Sequence, residues 1–426
     1  MFETSAAERV GRFGPTLEQR MIATGGRATG FDYLRLGLAC AVITWHSFLT
    51  SYGARFDEAF LVTPFRPLVA VILPAFFALS GFLVAGSLYR NSIAAFVGLR
   101  ALRLVPALAV EVLLSALVLG PLLTTVPWGV YFTSPVFYSY FLNLIGDIHY
   151  QLPGLFLNNP EPNMVNIQLW TVPWELKCYL VLPVALYVLG LVKRRALFLG
   201  AVVLGNLIVV AHHMMRTHGH TDQSQGVTPL ALPLAFLSAV VIYNYKDVVP
   251  WNRWICIACA IVLIPLFIVP GGDFFIGFPA AYATIYVGLL NPNKSTLLRG
   301  ADYSYGLYLY GFAIQQAVQR IGPWAHHWYV NLPISMAITC VFAGISWHIV
   351  EKPALRLRAI LPKVDRALAT LRSASVRALR LPTASSYNGV AHYGTAASLG
   401  RKTPGEVASH SERLQPQPYG DIQPKW

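Results

Sequence analysis

Apolar runs of roughly membrane length recur along the whole chain and are separated by short polar or basic connections. A transmembrane helix needs about 20 consecutive, predominantly apolar residues. The pattern therefore predicts an all-α fold, a polytopic transmembrane helix bundle of about ten spans. The predicted spans are 32–50, 67–88, 104–123, 168–190, 196–212, 228–243, 254–270, 274–290, 303–319 and 332–350.

The distribution of Lys and Arg orients this bundle, because basic residues are enriched in the cytoplasmic connections of membrane proteins. With a cytoplasmic N-terminus, most of the 32 basic residues fall on the cytoplasmic side. We therefore predict that both termini are cytoplasmic. The exceptions are Arg55, Arg66, Arg216 and Arg320 outside, and Lys177 within a span.

Three segments follow from this topology. Residues 1–30 are predicted to form a cytoplasmic N-terminal arm, and residues 31–358 the transmembrane domain. Residues 359–426 form a basic cytoplasmic tail, whose beginning has the spacing of an amphipathic helix on the anionic inner leaflet. From about residue 383 the composition is typical of disorder.

Composition excludes a soluble protein. The 426 residues are 55% hydrophobic and 12% charged, with a mean hydropathy of +0.52, whereas charged residues make up about a quarter of soluble domains. The net charge of +13 follows from the topology, so we expect membrane lipids as partners and no nucleic acid. Cys256 and Cys259 form a CxxC without a second pair or histidine partners, so we expect no metal.

The first predicted span carries an arginine at its start and a histidine deep inside it. Arg35 and His46 are 11 positions apart, which in a helix is about 16 Å along the axis and within about 20° of the same face. An ionisable residue inside an apolar run of this length is a candidate functional residue. The alternative is a histidine whose hydrogen bonds are satisfied by a neighbouring helix.

Other polar residues interrupt the predicted spans. Arg100 and Arg103 lie one helical turn apart, where two cations can bind a phosphate or simply anchor the cytoplasmic end of a span. Glu175 is inside the fourth span, and Tyr179 is four residues further on the same helical face. Ser80, beside Gly81, has the small size that lets helices pack closely.

Six motifs in order along residues 31–358 resemble the acyltransferase-3 family of integral membrane acyltransferases. They are Asp32-Tyr-Leu-Arg35 with His46, Phe76-Phe-x-Leu-Ser-Gly-Phe82, Phe96-x-x-x-Arg100-x-x-Arg103-x-x-Pro106, Leu169-Trp-Thr-x-x-x-Glu175-x-x-x-Tyr179, Tyr303-Ser-x-x-Leu307-Tyr-Leu309 and Ser346-Trp-x-x-x-Glu351-Lys-Pro353.

The resemblance implies an enzyme that moves an acyl group, usually acetyl, from cytoplasmic acyl-coenzyme A to a hydroxyl of a glycan or lipid-linked sugar. It also implies that Arg35 and His46 are catalytic. Two features depart from the family. Tyr308-Leu-Tyr-Gly311 stands where the family often has Tyr-Leu-Trp-His, and the chain carries a basic tail where many members carry an esterase-like domain.

The residues agree with this chemistry. Acetyl-CoA is the expected donor, and Arg35, Arg100, Arg103 and Ser80 are the residues expected to bind it. A histidine with a pKa near 6.5 can take a hydroxyl proton at neutral pH, so His46 is the expected general base. Glu175 is a further catalytic candidate. No Ser or Cys with a neighbouring His suggests a nucleophile, which favours direct transfer over a covalent acyl-enzyme.

The acceptor is expected to enter near residues 125–168, a connection rich in aromatic residues. Trp170, Tyr179 and Tyr138 are the predicted substrate-binding residues. Tyr131, Phe132, Phe137 and Tyr140 have two equally good interpretations, as residues that stack on sugar rings and as an interfacial aromatic belt.

Two other classes of protein stay open at this point. A transporter also uses intramembrane Arg, Glu and His, although the two halves show no clear internal repeat. A non-catalytic glycan- or lipid-binding membrane protein would keep the bundle and not need His46. In each case we expect a multi-pass protein of the plasma (bacterial inner) membrane.

Overall fold

The computed structural model describes residues 14–26, 28–188, 194–217, 226–293, 295, 301–367 and 370–371. These residues are mostly helical, and within them the only β-type pairing is an isolated bridge between Thr16 and Pro250. The described residues up to Ala367 form one compact unit. The predicted disorder of the tail and most of its predicted amphipathic helix lie outside the described residues.

The helices occur in the following order along the chain. They are α1 (Leu17–Ala23), α2 (Gly30–Tyr52), α3 (Ala54–Leu61), α4 (Pro67–Ala70), α5 (Ile72–Arg90), α6 (Ile93–Leu114), α7 (Gly120–Leu123), α8 (Trp128–Thr133), α9 (Pro135–Tyr140), α10 (Val172–Pro183), α11 (Arg195–Thr217), α12 (Ala231–Asn244), α13 (Arg253–Ile268), α14 (Gly277–Gly288), α15 (Ser304–Gln319), α16 (Trp328–Ser346) and α17 (Lys352–Arg356). Short π segments extend α6, α10 and α16, at Ser115–Leu119, Val184–Val188 and Trp347–Glu351. Short 3₁₀ segments lie at Phe141–Ile145, Ile167–Thr171, Gly272–Phe275, Pro323–His326 and Leu357–Ile360.

Each predicted span coincides with a helix, so the all-α fold is confirmed. Four stretches among the described residues are long and apolar enough to cross a membrane by themselves: Pro67–Arg90, Ile93–Leu123, Arg195–Met215 and Trp328–Ala367. The other helices are shorter or more polar, and ten spans with cytoplasmic termini stay a prediction.

The third membrane helix begins earlier than the sequence pattern predicts. The sequence pattern predicts a span from residue 104, but α6 begins at Ile93. The Ser92 hydroxyl caps it by accepting a hydrogen bond from the Ala95 amide at 3.0 Å. Arg100 and Arg103 therefore both lie within the helix.

The described part of the N-terminal arm packs on the connection before α13. Thr16 and Gln19 form a capping box at the start of α1. The Leu17 amide donates a hydrogen bond to the Val249 carbonyl at 2.9 Å, and the Arg20 guanidinium lies 4.3 Å from the centre of the Trp251 ring. The arm is thus held to the helical bundle from about residue 15.

A very close contact between two helices of the core involves Gly81. A Cβ at this position of α5 would lie 2.2 Å from the carbonyl oxygen of Phe236 on α12. Small residues permit such close approach of membrane helices, as the Ser80-Gly81 pair predicted.

Replacing Gly81 with alanine should therefore force α5 away from α12 and lower the free energy of unfolding by about 1–3 kcal/mol or more. Gly37 on α2 is a matched control, because nothing lies within 4 Å of a Cβ built there. Gly37→Ala should be neutral or slightly stabilising, since alanine is the better helix former. Thermal unfolding of the two purified variants checks this, and equal unfolding temperatures would show that the α5–α12 contact is not tight.

The aromatic connection forms a second core. Tyr131 and Tyr140 are fully buried, and the Tyr131 hydroxyl donates a hydrogen bond to the Ala116 carbonyl at 2.7 Å. Phe137 makes edge-to-face contacts with Phe132 and Tyr138, each with 5.3 Å between ring centres. These rings mainly pack against one another.

Candidate active site

Helix α2 places the two residues of the first motif against two different cavities. Arg35 lines one cavity and His46 lines the other. Because α2 is continuous from Gly30 to Tyr52, the two side chains share a face at levels about 16 Å apart. We call the two spaces the arginine cavity and the histidine cavity.

The arginine cavity has a volume of about 110 Å³. It lies between α2, α5, α6, α10 and the start of α15. Its lining includes Arg35, Leu73, Phe76, Ser80, Arg100, Arg103, Thr171, Glu175, Tyr179, Ser304, Tyr305 and Tyr308. The structure therefore brings together every residue predicted to bind the donor.

Asp302, just before α15, joins two of these arginines. Its Oδ2 atom accepts hydrogen bonds from Arg35 Nη1 and from Arg103 Nη2, both at 2.6 Å. The Ser304 hydroxyl donates to the Oδ1 atom at 2.5 Å. One carboxylate thus fixes the positions of two guanidinium groups from helices α2 and α6.

Arg100 is not part of this ion-pair cluster. Its Nη2 donates a hydrogen bond to the Ser87 hydroxyl at 3.3 Å, and its guanidinium lies 5.8 Å from the ring centre of Tyr179. Its buried Nε has no hydrogen-bond partner. A buried donor without a partner is uncommon in proteins, and here it lies beside a cavity.

The predicted contact within α10 is confirmed. The Tyr179 hydroxyl donates a short hydrogen bond to Glu175 Oε1 and also lies 3.0 Å from the Ser80 hydroxyl. These three side chains form a polar row along one wall of the arginine cavity.

The histidine cavity is larger, with a volume of about 660 Å³. The His46 imidazole packs edge-to-face on Phe312, with 5.2 Å between the ring centres. The polar and aromatic residues of the lining are Trp45, His46, Asp57, Gln168, Trp170, His213, Thr228 and Tyr308.

Leu73 and Tyr308 line both cavities, which adjoin at these two residues. The Tyr308 hydroxyl lies 2.7 Å from the Thr171 hydroxyl and donates to the Gln168 carbonyl at 3.0 Å. The ring of Tyr308 also packs on Phe76, with 6.0 Å between centres. The two cavities therefore meet at one hydrogen-bonded tyrosine.

Close packing excludes a histidine at position 311. A Cβ on Gly311 would already lie 2.9 Å from Cγ1 of Ile43 on α2. The preceding Tyr310 instead donates a hydrogen bond to Ser346 at 3.2 Å, and Ser346 donates to Glu351 at 3.0 Å. The departure from the family motif thus lets α15 approach α2.

The three predicted substrate-binding residues lie in different places. Trp170 lines the histidine cavity and Tyr179 lines the arginine cavity. Tyr138 is 60% exposed and lines neither of these cavities, so its role stays a prediction.

Sequence reasoning missed Asp302, Asp57 and Gln168. Asp302 has one signal in the sequence, since it is a single acid directly before an apolar run in a chain with few acids. Asp57 and Gln168 lie in polar connections, where their residue types are ordinary. Within the described residues, no group of three or more His, Cys, Asp or Glu side chains is placed to hold a metal ion.

Comparison with known proteins gives the class of protein. The profile of the acyltransferase-3 family, described as an acyltransferase domain, matches residues 29–351. The chain belongs to this family and is an acyltransferase, so the transporter and the non-catalytic binding protein are set aside.

Two curated proteins are similar over most of their length. Nodulation protein 10 from Rhizobium leguminosarum bv. viciae is 28% identical over 381 residues, which cover 82% of this chain and 98% of that protein. The O-acetyl transferase of Shigella phage Sf6 is 25% identical over 349 residues, which cover 76% of this chain and 94% of that protein. No solved structure matches the chain.

Proposed function

We propose that the protein transfers an acetyl group from acetyl-CoA to a hydroxyl of a cell-surface or lipid-linked glycan, with His46 as the general base. The observation that carries this proposal is the pair of adjoining cavities. One is lined by three arginines, the other by His46, and they meet at Leu73 and Tyr308.

The arginine cavity suits the donor. Arg35, Arg100 and Arg103 supply positive charge for phosphate groups. The carboxylates of Asp302 and Glu175 lie nearby and offset part of this charge. A volume of about 110 Å³ is below the roughly 300–1,000 Å³ of sites that enclose a drug-sized ligand. The cavity therefore takes the thin thioester end of the donor, and the phosphates stay at its arginine-lined mouth.

His46 is proposed to act on the acceptor. Its imidazole takes the proton of an acceptor hydroxyl while the hydroxyl oxygen attacks the thioester carbonyl. The carbon–sulfur bond then breaks, and the proton passes to the departing thiolate, so no net proton is consumed. Glu175 is proposed to act at the donor side of this reaction, through its hydrogen bond with Tyr179.

The proposal includes the predicted topology. The family profile matches residues 29–351, close to the proposed transmembrane domain of residues 31–358. The arm and tail are then cytoplasmic, the protein is a multi-pass protein of the bacterial inner membrane, and the donor enters from the cytoplasm. The similar protein of phage Sf6 is an O-acetyl transferase, which supports acetyl as the transferred group.

Removing two donor-site cations tests the arginine cavity. If Arg100 and Arg103 bind phosphates of coenzyme A, the double change Arg100→Gln and Arg103→Gln should weaken acetyl-CoA binding by about 100-fold, because hydrogen bonds to charged groups are worth about 1.5–3 kcal/mol each. The salt dependence of binding should also fall. Equilibrium binding of labelled acetyl-CoA to the purified protein measures both effects.

Two further variants serve as controls. Arg100→Gln alone leaves the pairs of Arg35 and Arg103 with Asp302 intact, so weaker binding in this variant does not come from a broken ion pair. Arg195→Gln removes a half-exposed cation that pairs with Asp247 and does not line the arginine cavity. This variant should not change acetyl-CoA binding. Unchanged affinity and salt dependence in the double variant would make Arg100 and Arg103 membrane anchors.

A further inference from the structure

A sharp turn after α2 places an acidic residue in the same cavity as His46. Gly53 has φ 77°, a conformation that glycine adopts readily and other residues do not. A Cβ at Gly53 would also lie 2.6 Å from the Pro160 carbonyl oxygen. The turn folds α3 back so that Asp57, in its first turn, lines the histidine cavity.

The Asp57 carboxylate has spare capacity to accept hydrogen bonds. Its Oδ1 atom is buried and has no hydrogen-bond partner. Burial raises the pKa of Asp57 to about 6, the Trp45 side chain opposes this shift as a hydrogen-bond donor, and the charges of Glu161 and Glu58 add to it. The carboxyl group is therefore mainly ionised above neutral pH.

A second unpartnered acceptor lines the same cavity. The Gln168 side chain is 1% exposed, and its Nε2 donates to the Leu309 carbonyl at 2.8 Å and to the Tyr308 carbonyl at 3.0 Å. These bonds fix the amide, whose Oε1 is buried without a partner. Buried acceptors without partners are costly, so a ligand that donates hydrogen bonds would satisfy both Asp57 and Gln168.

The remaining lining narrows the class of ligand. Trp45 and Trp170 supply aromatic surface, and no Lys or Arg is present among the described residues that line the histidine cavity. The described lining has two hydrogen-bond acceptors, indole rings and no Lys or Arg, and does not suit an anion. It suits an uncharged compound that carries several hydroxyl groups beside apolar C–H surface.

We propose that the histidine cavity is the acceptor subsite and binds an uncharged saccharide unit, whose hydroxyl groups donate hydrogen bonds to Asp57 Oδ1 and Gln168 Oε1. The indoles of Trp45 and Trp170 contact its apolar faces, and a further hydroxyl meets His46. This inference rests on the proposed function, and it replaces the aromatic connection at 125–168 as the main sugar-binding surface.

The test uses the purified full chain and labelled acetyl-CoA, at a pH above the pKa of Asp57. The acceptor is the surface glycan extracted from the source cells and treated with alkali to remove its esters. Asp57→Asn should raise the glycan concentration for half-maximal transfer by about tenfold or more, because a hydrogen bond to a charged group is lost. The acetyl-CoA concentration for half-maximal transfer should not change.

Glu58→Gln is the matched control, since Glu58 is the next residue of α3 and is exposed, and it should leave both concentrations unchanged. Two results for Asp57→Asn would overturn the inference. One is an equal rise in the half-maximal concentrations of acetyl-CoA and of the glycan, and the other is an unchanged half-maximal concentration of the glycan. If the unaltered protein transfers nothing, the proposed function itself fails, which is a distinguishable result.

Chemical reduction of the glycan's carboxyl groups tests the charge of the acceptor. If the bound unit is uncharged, the reduced glycan should be as good an acceptor as the glycan that was not reduced. Mass spectrometry should then find the acetyl group on a neutral sugar. Acetyl on an acidic sugar, with transfer lost after reduction, would contradict the proposed subsite.

Discussion

Replacing His46 with alanine is expected to lower acetyl transfer by about 10²–10⁴-fold, the usual contribution of a positioned general base. The helix should tolerate the change, because alanine is the strongest helix former and His46 borders a cavity. Binding of acetyl-CoA should persist, since the arginine cavity is untouched. Transfer of labelled acetyl to the glycan and binding of labelled acetyl-CoA measure the two effects separately.

His348→Ala is the matched control. His348 also lies in a membrane-length helix but is exposed, and its Nδ1 lies 2.9 Å from the Gly344 carbonyl. This variant should keep full activity. Full activity in His46→Ala would remove this histidine from the mechanism and leave it a packing partner of Phe312.

Replacing Asp302 with alanine is expected to destabilise the protein by about 3–5 kcal/mol, the usual cost of removing one partner of a buried ion pair. Arg35 and Arg103 would then face each other without the carboxylate that now accepts a hydrogen bond from each at 2.6 Å. Their side chains are only 16% and 27% exposed, so water would solvate the two guanidinium groups poorly once the carboxylate is lost. The thermal unfolding temperature of the purified variant is the measurement.

Asp247→Ala gives the comparison. Asp247 pairs with Arg195 at 2.8 Å, but both side chains are more than 40% exposed, and exposed pairs contribute about 0–1 kcal/mol. The unfolding temperature of the Asp247→Ala variant should differ little from that of the unaltered protein. Equal shifts in the two variants would show that Asp302 does not stabilise the bundle more than a surface acid does.

The positions of the helices could be predicted from the sequence because the requirement to bury backbone polar groups in lipid leaves few alternatives to long apolar helices. The start of α6 could not. Arg100 and Arg103 interrupt the apolar pattern there, and they are accommodated in the helix by partners that the local sequence does not reveal. Arg103 pairs with Asp302, 199 positions further along the chain.

The same limit applies to the site. Arg35 and His46 could be placed on one face because helix geometry relates them directly. Their assignment to two cavities depends on Tyr308 of α15, which helical periodicity within α2 cannot locate. The position of Asp57 in the histidine cavity depends on the turn at Gly53. The position of Tyr138 depends on how the rings of the aromatic connection pack against one another.

We propose that the donor and the acceptor reach the reaction from opposite sides of the membrane. In the predicted topology, Arg35 lies at the cytoplasmic start of helix α2, and His46 lies about 16 Å further along it, beyond the middle of a hydrocarbon core about 30 Å thick. This topology predicts that the acceptor has the shorter path to His46 from outside.

Sealed vesicles of known orientation test this claim most directly. Labelled acetyl-CoA should be consumed only when it is supplied on the face that corresponds to the cytoplasm, and acetylated glycan should appear only on the opposite face. Product that forms only on the side of the donor would contradict transfer across the membrane.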